Sequence, residues 1–175
     1  MVMYEKEILR FHQAAALLPP EQRRALERLD DAVKARTEEI RLRAGQPVSL
    51  VLPEGEITLP GWERPVRTAE LALLLEIATQ ASAHTALSQV RSGFFTVRGG
   101  HRLGICGSGV VKDGAVWNLR QVSSLALRIA REAVGIAAPI LDRLWAGEEL
   151  LSTLILSPPG WGKTTLLRCL NFLER

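Results

Sequence analysis

The chain has 175 residues, 47% of them apolar and 23% charged, a composition that suits one full soluble domain and part of a second. Its net charge of +3 comes from 18 arginines and 4 lysines scattered among 19 acids, so no polybasic tail marks a nucleic-acid binder. Cys106 and Cys169 stand far apart with no Cys-x-x-Cys or Cys/His spacing, a pattern that argues against a disulfide framework or a zinc site and for free thiols in a reducing compartment.

The opening stretch, MVMYEKEILRF, is charged where a signal peptide needs an apolar core. The longest apolar run, Leu71 to Ile77, is broken by Glu76 and is too short to cross a bilayer. A cytoplasmic chain is expected, with peripheral attachment to a membrane through partners left open. From Tyr4 to Leu18 apolar residues recur at helical spacing (Ile8, Phe11, Ala15, Leu18) until Pro19 and Pro20 stop them. A second helix is predicted from Pro20 through EQRRALERLDDAV. Then EEIRLRAGQPVSLVL alternates, with Ile40 and Leu42 on one side and Glu39, Arg41 and Arg43 on the other. The turn at Gly45 to Pro47 makes it a β-hairpin, and GEITL is a candidate third strand.

Thr68 is placed as the N-cap of a helix over Ala69 to Ser82 whose inward face is Leu71, Leu74, Leu75 and Ala78. A shorter helix is predicted from Thr85 to Ser92, ending at Gly93. Strands follow in FFTVRGG, HRLGICGSGVV, AVWNL and SSLALRIA, with Asp113-Gly114 a tight-turn signal between the second and third. Residues 1–135 therefore read as an α+β domain with a mostly antiparallel sheet. Residues 136–175 read as a linking helix from Ile136 to Glu149, then a short apolar strand at Thr153 to Leu156, a loop and a helix.

That last segment, TLILSPPGWGKTTLLR, carries most of the chemistry. The phosphate-loop pattern is G-x-x-x-x-G-K-[ST], and Ser157 to Thr164 follows it with serine in the first glycine's place. Gly160 and Gly162 permit backbone dihedrals closed to other residues and a close approach to phosphate. Amides from Gly160, Trp161, Gly162, Lys163, Thr164 and Thr165 can point inward as donors, and a helix N-terminus favours the anion. Lys163 places a charge on the β- and γ-phosphates, and the Thr164 hydroxyl is the candidate ligand for Mg²⁺. ATP with Mg²⁺ is the cofactor this arrangement implies. Hydrolysis also needs a carboxylate on a neighbouring strand, which belongs downstream of Arg175, so the chain alone is expected not to turn over ATP.

Other candidates compete with blander readings. GGHRLGICGSG lacks a following helix, so it fits bulged strands in close backbone contact better than a dinucleotide loop. His101 has no partner at ligand spacing and reads as a surface or interface histidine, and Cys106 as a small buried residue. Arg128 lies on the polar side of its strand and Arg131 just beyond its end. They are either solvated or interface arginines, or they contact phosphate from the N-terminal domain.

In order, EEIRLRAGQP, SGFFTVRGGHRLGICGSGVV, SSLALRIAREAVG and TLILSPPGWGKTTLLR resemble the stage III sporulation protein AA family from about residue 15 onward. That family is similar to the secretion-superfamily ATPases of type II and type IV systems. The resemblance implies the first strand–loop–helix of a RecA-like ATPase core after the α+β domain. It also implies a homo-oligomer, a hexamer when full length. As partners it implies the membrane-embedded proteins of a channel between mother cell and forespore, driven by ATP. A reading of a different class is a non-catalytic module whose loop is unused and which docks on a membrane complex or on nucleic acid.

Overall fold

The computed structural model describes residues 2–80, 93–112, 114–131, 137–141, 143–147, 149–159 and 161–171. Three helices come first: α1 (Val2–Ala15), α2 (Pro20–Glu27) and α3 (Asp31–Arg36). The helical spacing in α1 puts Phe11, Ala14 and Ala15 in the core, with Leu18 following at its end. The single second helix expected from the sequence is in fact two. The amides of Arg28 and Leu29 tighten onto Ala25 and Leu26, and Leu29 turns inward. Asp30 then takes an extended backbone and restarts the helix, its carbonyl accepting from the Val33 and Lys34 amides.

The sheet has six strands in the order β3-β2-β1-β6-β5-β4. They are β1 (Glu39–Arg43), β2 (Ser49–Leu52), β3 (Gly55–Thr58), β4 (Phe94–Thr96), β5 (Arg102–Lys112) and β6 (Ala115–Arg128). Every pairing among these six strands is antiparallel, in keeping with the mostly antiparallel sheet expected. One face buries Ile40, Leu42, Leu50, Leu103, Leu125 and Leu127 against the helices. Each such side chain withdrawn from water contributes about 2 kcal/mol before entropy is charged against it. Helix α4 (Thr68–Thr79) covers this face with Leu71, Leu74, Leu75 and Ala78. Its N-cap is Arg67 rather than Thr68, because Glu70 at the third helical position accepts the Arg67 amide at 2.8 Å.

The separate strands AVWNL and SSLALRIA are one long strand, β6, paired with β5 almost throughout. Three register shifts absorb the mismatch; at the first, Cys106 faces Ser124 while Gly107 faces Val122, so Ser123 is an extra residue. Its carbonyl accepts the Ala44 amide instead. At Gly107 the strands approach closely: a Cβ there would lie 2.0 Å from the Gln121 carbonyl oxygen. Strict alternation before the bulge sends Leu103 and Ile105 inward and Cys106 outward, so Cys106 is exposed, not buried. His101 is corrected in the opposite sense. It is fully buried, at the end of a turn over Arg98–Gly100 that brings the chain from β4 into β5. The helix expected from Thr85 to Ser92 lies outside the described residues.

The chain divides into two compact units, Met1–Ala130 and Arg131–Arg175. In the second, the long linking helix is replaced by a short one, α5 (Ala138–Leu141), and a two-stranded hairpin, β7 (Trp145–Ala146) with β8 (Glu149–Leu150). Gly147 supplies the left-handed backbone (φ 67°) that the hairpin turn needs. Beyond it, residues 151–158 run without regular structure, and α6 (Lys163–Asn171) follows. Thr153 to Leu156 was expected as a buried central strand. Among the described residues it has no ladder partner, and Leu154 and Leu156 are about 80% exposed. A parallel strand is buried only between neighbouring strands, and the two-stranded sheet of this unit does not extend to it.

Candidate functional site

The candidate phosphate loop is built by three local devices. The Trp161 amide donates weakly to the Pro158 carbonyl, at 3.4 Å, which folds the chain back after the proline pair. Gly162 sits at φ 80°, in the left-handed region, with nothing within 4 Å of where a side chain would begin. Its carbonyl accepts the Leu166 amide at 2.8 Å, the first bond of α6. The amides of Lys163, Thr164 and Thr165 fall in the first helical turn, where the helix itself has no carbonyl to offer them.

Lys163 turns back across the loop. Its Nζ donates to the carbonyls of Ser157 at 2.7 Å and Pro158 at 2.8 Å, and to Ser157 Oγ at 3.2 Å. The three bonds match the three donors of an ammonium. Ser157 therefore does more than serve the turn in place of the usual glycine: its carbonyl and hydroxyl both hold the lysine head. Sequence reasoning missed that role, because the pattern treats the position as backbone only.

Of the residues singled out from sequence, the structure places Trp161, Gly162, Lys163, Thr164 and Thr165 together on one exposed bend, with the Trp161 ring largely in solvent. Gly160 lies outside the described residues. Arg128 is in the other unit, exposed at the end of β6, with Glu39 of β1 and Arg102 of β5 opposite it in register. Arg131 opens the second unit and is exposed. The open approach at Gly162, the free first-turn amides and the ammonium fit a chain of phosphates. Thr164 exposes a hydroxyl suited to Mg²⁺, a cation that keeps most of its own waters. Among the described residues no three His, Cys, Asp or Glu cluster as a metal site, and no helix is long and apolar enough to cross a membrane.

Elsewhere the charges are used structurally. On the outer face of the sheet Glu56 accepts from Arg43, Ser49 and Arg41, and these bonds, Arg43's foremost, hold its carboxyl down at about 2. Near α4, Glu70 accepts from Arg64, Gln22 and the Arg67 amide, and is likewise held at about 2, chiefly by Arg64.

The family model described as "Sporulation stage III, protein AA" matches residues 9–172. The stage III sporulation protein AA of Bacillus subtilis (strain 168) is 38% identical over 164 residues, covering 93% of this chain and 52% of that protein. The chain thus spans about half the length of the curated relative it matches. The X-ray structure of the Legionella pneumophila ATPase DotB aligns with 88% of this chain and 42% of its own, at 16% identity and a TM-score of 0.43.

Proposed function

The chain belongs to the sporulation stage III protein AA family, and we propose on that premise that residues 157–165 hold the phosphates of Mg·ATP. The observation that carries the reading is the Lys163 ammonium, held across the loop at the N-terminus of α6 by acceptors from Ser157 and Pro158. A lysine so placed can exchange carbonyl oxygens for phosphate oxygens without leaving the loop. Its present acceptors are neutral, whereas a phosphate oxygen carries negative charge and adds an ion pair to the hydrogen bond. The first-turn amides of Lys163, Thr164 and Thr165 add directional donors, and the Thr164 hydroxyl would serve as a ligand to the cation. ATP would supply the transferable phosphoryl group; the loop's own part is to bind and orient it.

For a chain of the relative's full length the reading extends to an ATPase that works as a homo-oligomer, a hexamer by family likeness. Its site is on the cytoplasmic side, and its partners are the membrane-embedded proteins of a mother cell–forespore channel. Arg128 and Arg131 are assigned to the developing charge on the γ-phosphate, from the sheet unit and from its exit. Calorimetry with Mg·ATP on the 175-residue chain, and on a chain of the relative's full length, tests the binding step. Lys163→Ala is expected to weaken binding at least about tenfold, or ~1.4 kcal/mol. Unchanged affinity in that variant would refute the assignment and favour a docking module with an unused loop.

A further inference from the structure

His101 is fully buried, and its ring is not idle. The Ala130 amide donates to Nδ1 at 3.0 Å, and Ala130 is the last residue of the first unit. The ring's own strand is anchored beside it, since the His101 carbonyl accepts the Val97 amide at 2.9 Å. An accepting Nδ1 carries no proton, so the neutral ring bears its proton on Nε2. Among the described residues Nε2 has no hydrogen-bond partner, and it packs against Gly99, where a Cβ would come within 2.8 Å of it. Gly99 is held in turn by Arg10 of α1, whose guanidinium donates to the Gly99 carbonyl at 3.2 Å.

We propose that His101 is a proton-sensitive clamp on the chain's exit from the sheet: neutral, it holds the Ala130 amide; protonated, it cannot accept and lets the junction at Ala130–Arg131 open. An imidazolium donates from both nitrogens, so the bond to Ala130 and a charged ring exclude one another. Of the charges near the ring, that of Arg10 opposes protonation in the closed state. Arg10 faces it from α1, Arg98 and Arg102 flank it on its own hairpin, and Arg128 and Arg131 flank Ala130, with Glu39 across from Arg128. Burial first, and then Arg10, lower the ring's affinity for a proton below the ordinary value of 6.5. A ring released into water regains that affinity, so acid below about pH 6.5 favours the open junction and neutral pH the closed one. His101 is thus a positioning residue for the segment that leads into the second unit. The inference stands whether or not the loop there binds nucleotide.

Amide hydrogen exchange, corrected for the intrinsic pH dependence, reads the clamp directly. Protection at Ala130 is expected to fall about tenfold between pH 7.5 and pH 5, while Leu50 in β2 stays more protected than Ala130 throughout. His101→Asn offers an amide oxygen near the position of Nδ1 but does not titrate, so its protection at Ala130 should be flat with pH. His101→Leu should lose at least about tenfold protection there at pH 7.5. Equal losses at Ala130 and Leu50, no pH dependence in the wild type, or wild-type protection in His101→Leu would each overturn the clamp. Nitrogen NMR of the unmutated chain gives a second reading free of folding artefacts: the Nε2–H tautomer at pH 7.5 supports the clamp, and the Nδ1–H tautomer overturns it.

Discussion

Glu70 shows how much one side chain can tie together. Its two oxygens take bonds from Arg64 at 2.7 and 3.0 Å, from Gln22 at 2.7 Å and from the Arg67 amide at 2.8 Å, so α2, the segment before α4 and α4 itself meet at one carboxylate. Arg64 also pairs with Glu21 and lies 4.2 Å above the Trp62 ring. With the folded carboxyl at about 2, below its ordinary 4.5, this pairing stabilises the fold fully above pH 4.5 and is lost as the pH falls toward 2. Arg64 is 37% exposed, so solvent screening reduces the effect, and about 2 kcal/mol is the expected size. Glu70→Gln should therefore lower urea stability by about that much at pH 7 and differ little from wild type near pH 2. A gap that stays constant with pH would assign the loss to packing and not to charge. Sequence pattern could not reveal this site. Gln22 is 48 positions away, and Thr68 is a better cap by side chain alone. The acid's acceptance of the Arg67 amide decides the boundary.

At the scale of elements, the β5–β6 ribbon separates two glycines that look alike in sequence. A Cβ at Gly104 would meet Ala126 at 3.6 to 3.8 Å, ordinary contact, whereas one at Gly107 would meet backbone at 2.0 Å. Gly104→Ala is expected to change stability by less than about 1 kcal/mol, and Gly107→Ala to cost about 2 kcal/mol or more, since the strand backbones must part. Thermal melts of the two variants check the ranking, and equal melting temperatures would refute the close approach of the strands at Gly107. The glycine-rich stretch was legible as bulged strands because no helix follows it. The β1–β2 hairpin and the buried face of α4 were legible because alternation and helical spacing report the core directly. What failed were joins and the strand expected at Thr153 to Leu156, which has no ladder partner among the described residues. The break at Arg28–Asp30 depends on where Leu29 packs, and the union of two short strands into β6 depends on bulges that hide its alternation. Ile136 to Glu149 reads as a linking helix, yet Gly147 and the pairing of Trp145 with Leu150 make a hairpin. The loop at Lys163 was legible from spacing; the part of Ser157 in holding the lysine was not, because it is a matter of side-chain geometry.

At the scale of the whole molecule, the question is whether the sheet unit shares in the chemistry proposed for the loop. Arg128 ends the long β6 on the solvent side, and Arg102 stands opposite it across the strand pair. Two like charges in register repel, which weakens the sheet by a few tenths of a kcal/mol. Glu39 of β1 faces Arg128 from its other side, and the Arg102 guanidinium lies 4.8 Å over the Phe94 ring, so both arginines have partners with which an anion would compete. Arg131 lies three residues further on, immediately past the residue that His101 holds. If these arginines meet the charge that builds on a γ-phosphate during transfer, they act on the transition state more than on the bound nucleotide. In a chain of the relative's full length, Arg128→Ala and Arg131→Ala should each lower ATP turnover at least about tenfold while changing Mg·ATP affinity less than about threefold. Circular dichroism and melting should match the wild type, because neither side chain is buried. Wild-type turnover in both variants would leave the arginines as solvated or structural groups and confine the chemistry to the unit that carries the loop. A parallel loss of affinity and turnover would instead make them ground-state binding residues, and would contradict the role assigned to them.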